Sequence, residues 1–368
     1  MKKSKLLLIG MILLFVAAGA FIVWRTKRNG EAPAKQLRVL AYVGYDEPDF
    51  IEPLEKALGA KIVVETYVGG EQMYTKFTQS PAGTYDLVVL DAEYGERLFA
   101  ERRLIALDPT LWKFDDLFPK FQTGNPARAG NEVYAAVARW GAIGIVYNTK
   151  HIDPARLASY QLLFDNDLRG RIGLYDWYLP NMGILSLSQG NKEPYDIDAS
   201  QLTKLEQALS KLRGQVTSIQ PNPGQVLADL RSGNVWVAPG IGEWAAASLA
   251  NDGLPIDWAV PQPGGIMWVE AFAISSNSKD LALSKQFLAE VMKPSHLALL
   301  ATRKAYFSQV TRTSAYEYIP ATARTHLKAD NLTALGAISD QLQFRHLPGP
   351  KTTEQDWIAV WARFKAGR

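Results

Sequence analysis

Cysteine is absent from all 368 positions of the chain. That excludes disulfide frameworks, thiolate metal sites, cysteine nucleophiles and a lipid-modified amino-terminal cysteine. Histidine is scarce: His151, His296, His326 and His346 are the only four. They follow no metal-ligand spacing such as H-E-x-x-H, which argues against a metal site and a metalloenzyme. There is no G-x-S-x-G elbow, no G-x-x-x-x-G-K-[ST] phosphate loop and no G-x-G-x-x-G after a strand. No enzyme, catalytic residue or cofactor is therefore expected. Acidic side chains are missing from the first thirty residues, where Lys2, Lys3, Lys5, Arg25, Lys27 and Arg28 flank an unbroken apolar run from Leu6 to Trp24. This is an export segment. Its nineteen apolar residues would make a helix of about 28 Å, close to the hydrocarbon thickness of a bilayer. Ala18-Gly19-Ala20 equally offers a small-x-small cleavage site. A signal peptide over residues 1–30 and an uncleaved inner-membrane anchor at 6–24 thus both stay open, and both place the body in the periplasm.

What remains is ordinary globular protein. The whole chain is 47% hydrophobic and 21% charged, which is a folded rather than a disordered composition, and it is long enough for two domains. Without the six leading basic residues, 34 basic face 37 acidic side chains, a net charge of −3. The excess positive charge of the full chain belongs to the export segment, so no nucleic-acid partner is expected.

Short apolar runs alternate with amphipathic stretches from Gln36 onward. Residues 37–43, 61–68 and 85–90 read as strands, with helices at 51–58 and 71–77 between them. Such strand–helix–strand units imply a parallel sheet covered by helices. Its ligand site belongs at the carboxyl ends of the strands, here Tyr42 to Asp46, Thr66 to Gly70 and Asp91 to Tyr94. A second set of strands is expected at 142–148, 171–177, 235–240 and 256–260, with a helix at 199–212. After the turn-rich 261–265, a strand at 266–275 returns to the first lobe. The fold class is thus α/β with two lobes. One lobe is expected over 37–140 plus 266–314 and the other over 141–265 plus 315–368, hinged at crossings near 138–142 and 261–266.

Seven segments occur in an order that resembles one family: YVGYDEPDF, TYVGGEQMYTKF, GTYDLVVLDAEY, RWGAIGIVYN, LRGRIGLYD, PID and GGIMWVEAFAIS. They resemble the periplasmic solute-binding proteins of polyamine ABC importers, the spermidine/putrescine-binding type. The resemblance implies a two-lobed, type II-like periplasmic binding fold that closes on a ligand in the interlobe cleft. It also implies aromatic rings along the ligand's methylene chain and carboxylates at its ammonium groups. The physics is that a buried ammonium must be paired, while each ring face adds about 0.5 to 2 kcal/mol by cation–π attraction.

Carried onto this chain, the family's binding set falls on Tyr42, Tyr45, Trp268, Glu270 and Tyr306. Glu270, among Met267, Val269 and Phe272, is a carboxylate in an apolar setting that calls for a cationic partner. Elsewhere the sequence departs from the pattern. The family's two second-lobe acids fall on Trp177 and Pro180, an aromatic after the third strand falls on Glu93, and a tryptophan falls near Gly242. Asp176, Glu243 and Trp244 lie one or two places away as candidate substitutes, although a one-residue shift along a strand turns a side chain to the other face. Trp140 reads as a core or hinge aromatic and Glu71 as a helix-start acid. The ligand therefore remains open among a polyamine, a monoamine or modified polyamine, and a solute outside the amine class. The expected partner is an ABC permease or, alternatively, the periplasmic domain of a membrane signalling receptor, and the protein is expected to be monomeric. An iron-binding relative would want paired tyrosines, and no two tyrosines are adjacent here.

Overall fold

The computed structural model describes residues 35–303 and 306–367. The export segment of the sequence reading lies outside them. Thirteen strands are β1 (Gln36–Tyr42), β2 (Lys61–Tyr67), β3 (Leu87–Asp91), β4 (Arg128–Ala129), β5 (Glu132–Val133), β6 (Ala136–Asn148), β7 (Ile172–Tyr175), β8 (Val216–Gln220), β9 (Val237–Gly242), β10 (Ile256–Ala259), β11 (Gly265–Ile274), β12 (Gln309–Val310) and β13 (Leu342–Phe344). Apart from the β4–β5 hairpin, all belong to one sheet with the order β2-β1-β3-β11-β6-β9-β7-β8. β10 and β12 pair with β6, and β13 pairs with β11.

The sheet has a parallel wing on each side of an antiparallel centre. β2, β1 and β3 run parallel to one another, as do β8, β7 and β9. β11 and β6 run antiparallel between them. Every position of β6 and of β11 is buried. That is why both read as near-continuous apolar runs rather than alternating ones: central strands are covered on both faces. β6 extends from 136 to 148, longer than the predicted 142–148, and passes through the expected hinge as hydrogen-bonded strand.

The wing helices follow their local signals. The helix Pro48–Leu58 begins with proline at its first turn and ends at Gly59, whose φ of 58° is left-handed, a stop that glycine takes without strain. The helix Ala199–Arg213 starts on a reciprocal cap between Asp198 and Gln201 and buries Leu202, Leu205, Leu209 and Leu212, the three-and-four spacing of a single helical face. Among the described residues no helix is long and apolar enough to cross a membrane.

The carboxy-terminal stretch divides its packing between the two wings. The helix Glu354–Lys365 lies on the helices Tyr178–Ser188 and Ala199–Arg213, and Ala321–His326 lies on Glu243–Asn251. β13 pairs with Gly265–Met267 of β11, and Leu332–Asp340 packs on Pro119–Thr123. Residues 342–353 thus form a third passage between the wings, beside β6 and β11.

Candidate ligand-binding site

Between the wings lies a cavity of about 350 Å³, within the range of small-molecule sites. Six aromatic rings stand in its walls: Tyr42 at the end of β1, Tyr175 and Trp177 at the end of β7, Trp244 at the start of a helix, Trp268 on β11, and Tyr306. The charged residues among the described lining are Asp91, Glu270 and Arg345. The strand ends foreseen from the βαβ pattern do converge here, as the rule for parallel sheets requires.

Sheet register sets the electrostatics. Glu270 on β11 stands opposite Asp91 on one side and Arg139 of β6 on the other. The Glu270 carboxylate is 3% exposed. It accepts hydrogen bonds from the hydroxyls of Tyr45 at 2.6 Å and Tyr306 at 2.7 Å, and lies 3.7 Å from the Arg139 guanidinium. Burial pushes its pKa up, against the opposing pull of Arg139. Arg139 is fully buried, donates to Ser308 and to the Tyr306 carbonyl, and sits 4.1 Å from the Tyr306 ring centre. Arg139 is thus an internal cation beside Glu270, at ion-pair distance but without a hydrogen bond to it, while Glu270 still faces the cavity. Burial holds the hydroxyls of Tyr42, Tyr45 and Tyr306 far above their ordinary pKa, so they stay protonated and donate.

A second charge cluster closes one end. Arg345, just beyond β13, donates from Nη2 to Asp91 at 2.6 Å and from Nε to Glu93 at 2.5 Å. Its guanidinium carbon stands 4.3 Å from the Trp177 ring centre. The Tyr42 hydroxyl donates to the other Asp91 oxygen at 2.5 Å. Burial drives Glu93 upward against the pull of Arg345.

Glu243 forms a third buried acid, at the first turn of the helix Glu243–Asn251. It accepts from the Ala142 amide at 2.8 Å and from the Trp268 indole at 3.2 Å, so one carboxyl is tied to both central strands. Burial pushes it up to about 8 despite these donors. Only glycine fits beside it: a Cβ at Gly141 would lie 2.1 Å from Glu243 Oε1 and 2.4 Å from Trp268 Nε1.

The ten residues singled out from sequence therefore separate. Tyr42, Trp177, Trp244, Trp268, Glu270 and Tyr306 line the cavity together with Pro180. Tyr45 stands behind Glu270 as a hydrogen-bond donor. Glu93 and Glu243 are buried behind the wall, on Arg345 and Trp268 respectively. Asp176 is not part of the cavity: its carboxylate binds the Trp361 indole at 2.7 Å and Lys365 at 2.8 Å on the carboxy-terminal helix. The alternation at the end of β7 turns Trp177 inward and Asp176 outward. Trp244 does reach the site, because its ring covers Gly242; a Cβ there would meet Trp244 Cδ1 at 2.4 Å. Trp140 is core, donating its indole N–H to the Val310 carbonyl.

Arg139, Tyr175 and Arg345 do not figure among the expected site residues, and Asp91 figures only as the end of a cleft strand. Arg139 carries a signal, a lone charge within an apolar strand, and Asp91 ends a buried strand. Arg345 carries none, since its partners lie 252 and 254 residues away.

A two-lobed α/β molecule with an aromatic, carboxylate-bearing cleft between its wings has the architecture of a solute-binding protein. The chain matches the model of the bacterial extracellular solute-binding proteins over residues 49–329 and belongs to that family. Among its relatives is the spermidine/putrescine-binding periplasmic protein of Escherichia coli strain K12, 26% identical over 284 residues, covering 76% of this chain and 78% of that protein. Another is the putrescine-binding periplasmic protein PotF of the same organism, 24% identical over 291 residues, covering 75% and 78%. The fold matches the spermidine/putrescine ABC transporter substrate-binding protein PotD of Streptococcus pneumoniae with a TM-score of 0.75, at 20% identity over 91% of this chain and 99% of that one.

Proposed function

We propose that the protein captures a small amine-bearing solute in the periplasm and presents it to the permease of an ABC importer. One lobe would comprise 37–140 and 266–314, the other 141–265 and 315–368, of which 332–344 reach back onto the first, closing on the solute between them. The observation that carries this reading is Glu270: a carboxylate on the wall of an aromatic-lined cavity, oriented by two tyrosine hydroxyls. The rings of Trp244 and Trp268 lie 6.1 and 6.4 Å, centre to centre, from that of Tyr306, a partial cage for a cationic head with its alkyl body. The names of the relatives point to the same ligand class.

Thermal unfolding of the purified protein against putrescine, cadaverine, spermidine, alkyl monoamines, amino acids, sugars and organic anions tests it. A ligand present at 100 times its Kd adds about 2.7 kcal/mol of apparent stability, and closure on Trp177, Trp244 and Trp268 should change intrinsic fluorescence. Stabilisation by a sugar or an anion, with none by any amine, would overturn the reading.

A further inference from the structure

Resting on that amine reading, we propose that Arg345 is a built-in cation at one end of the cleft, so that the site is made for a solute with a single ammonium group and an apolar body. Arg345 has what a bound cation would require. Two carboxylates, Asp91 and Glu93, accept from it at 2.6 and 2.5 Å, and the Trp177 ring lies 4.3 Å away. Its side chain is only 4% exposed. Arg345 lines both the ligand cavity and a second cavity behind it, bounded by Glu93, Glu96, Tyr134 and His346. It stands where the cleft would otherwise continue.

The charge count sets the capacity that is left. Around the cavity the buried acids Asp91, Glu93 and Glu270 face the buried guanidinium groups of Arg139 and Arg345. Arg345 occupies both Asp91 and Glu93, which leaves Glu270 as the carboxylate of the cavity wall not taken by Arg345. Glu243, behind Trp268, has no cationic partner within reach of its carboxyl among the described residues. One ammonium can enter beside Glu270; a second would find Asp91 and Glu93 already taken by Arg345 and would be buried unpaired, which is strongly unfavourable. The aromatic walls formed by Tyr175, Trp177 and Trp244 accept a hydrocarbon end in its place.

Matched pairs of ligands read this directly. Pentylamine and putrescine have the same number of heavy atoms, as do hexylamine and cadaverine, and within each pair only the second ammonium differs. Calorimetric titration of the purified protein should find each monoamine bound at least tenfold more tightly than its diamine. Arg345→Met should reverse the order by releasing Asp91 and Glu93, whereas Arg345→Lys should keep it. Equal or tighter binding of the diamines by the unaltered protein would overturn the proposal and leave the amine reading standing. Failure of every amine, spermidine included, would overturn the amine reading itself. Should Arg345→Met not fold, the matched pairs on the unaltered protein and on Arg345→Lys decide the matter alone.

Discussion

Replacing Glu243 with glutamine should make the protein more stable at neutral pH, and the gain should grow with pH. Its carboxyl is 1% exposed, and burial raises its pKa to about 8 from the ordinary 4.5. A proton held more tightly by the folded chain than by the unfolded one favours folding in acid. The contribution is complete below the unfolded value near 4.5 and is lost as pH rises through about 8, at roughly 1.4 kcal/mol per pH unit. Between pH 5.5 and 7.5 this one group should remove about 2.7 kcal/mol of stability. Glutamine keeps an oxygen for the Ala142 amide and the Trp268 indole but has no proton to lose. Urea unfolding, followed by far-ultraviolet circular dichroism at both pH values, gives the difference between the two proteins. Glu93, Glu270, Glu71 and His346, whose pKa values are also displaced, act on both proteins alike and drop out of that difference. Parallel pH profiles, within a few tenths of a kcal/mol, would refute the argument that Glu243 is held protonated by its surroundings.

Three further outcomes are expected. Glu270→Gln should lower amine affinity at least a hundredfold and also lower the melting temperature without ligand, because Arg139 is left buried without its carboxylate at a cost of about 3 to 5 kcal/mol; an unchanged melting temperature would show that Arg139 does not depend on Glu270. Gly141→Ala should destabilise the protein by about 1 to 3 kcal/mol through overpacking, since its Cβ would fall within 2.4 Å of both Glu243 and Trp268, and thermal unfolding measures the loss. Asp176→Asn, whose side chain faces the carboxy-terminal helix, should change amine affinity less than twofold by titration; a tenfold loss would place that carboxylate in the cleft after all.

Much of the architecture was legible because central strands advertise themselves. β3 and β11 fall where fully buried apolar runs are bounded by turn residues, β1, β2 and β10 keep enough apolar and β-branched residues to be read although they are less buried, and the carboxyl ends of β1, β2 and β3 mark the cleft. β8 escaped notice because Val216–Gln220 is only partly buried along its length and so carries little apolar signal. The helix Tyr178–Ser188 was equally silent: ten of its eleven residues are buried, so no polar face interrupts the pattern, and Pro180 sits in its first turn. At the site, Tyr42, Trp268, Glu270 and Tyr306 could be placed because each sits on or beside a recognisable segment. The arginines could not. Pairs such as Arg345–Asp91 join segments 254 residues apart, and an arginine is ordinarily a surface residue, so nothing local distinguishes one that will be buried in a cleft.

The continuity of the central strands bears on how such a molecule works. β6 and β11 run unbroken through the junction of the lobes, buried and hydrogen-bonded to each other along residues 136–143 and 266–272, with one irregularity at Glu270 and Ala271. No slack turn is available in these two strands to absorb a swing, so the closure proposed above would have to bend and twist the sheet as a leaf spring is flexed. The free energy of the proposed capture would then be shared between contacts in the cavity and recoil of the strands. A permease that opened the lobes would do work against the same spring, and that work would return when the empty protein let go.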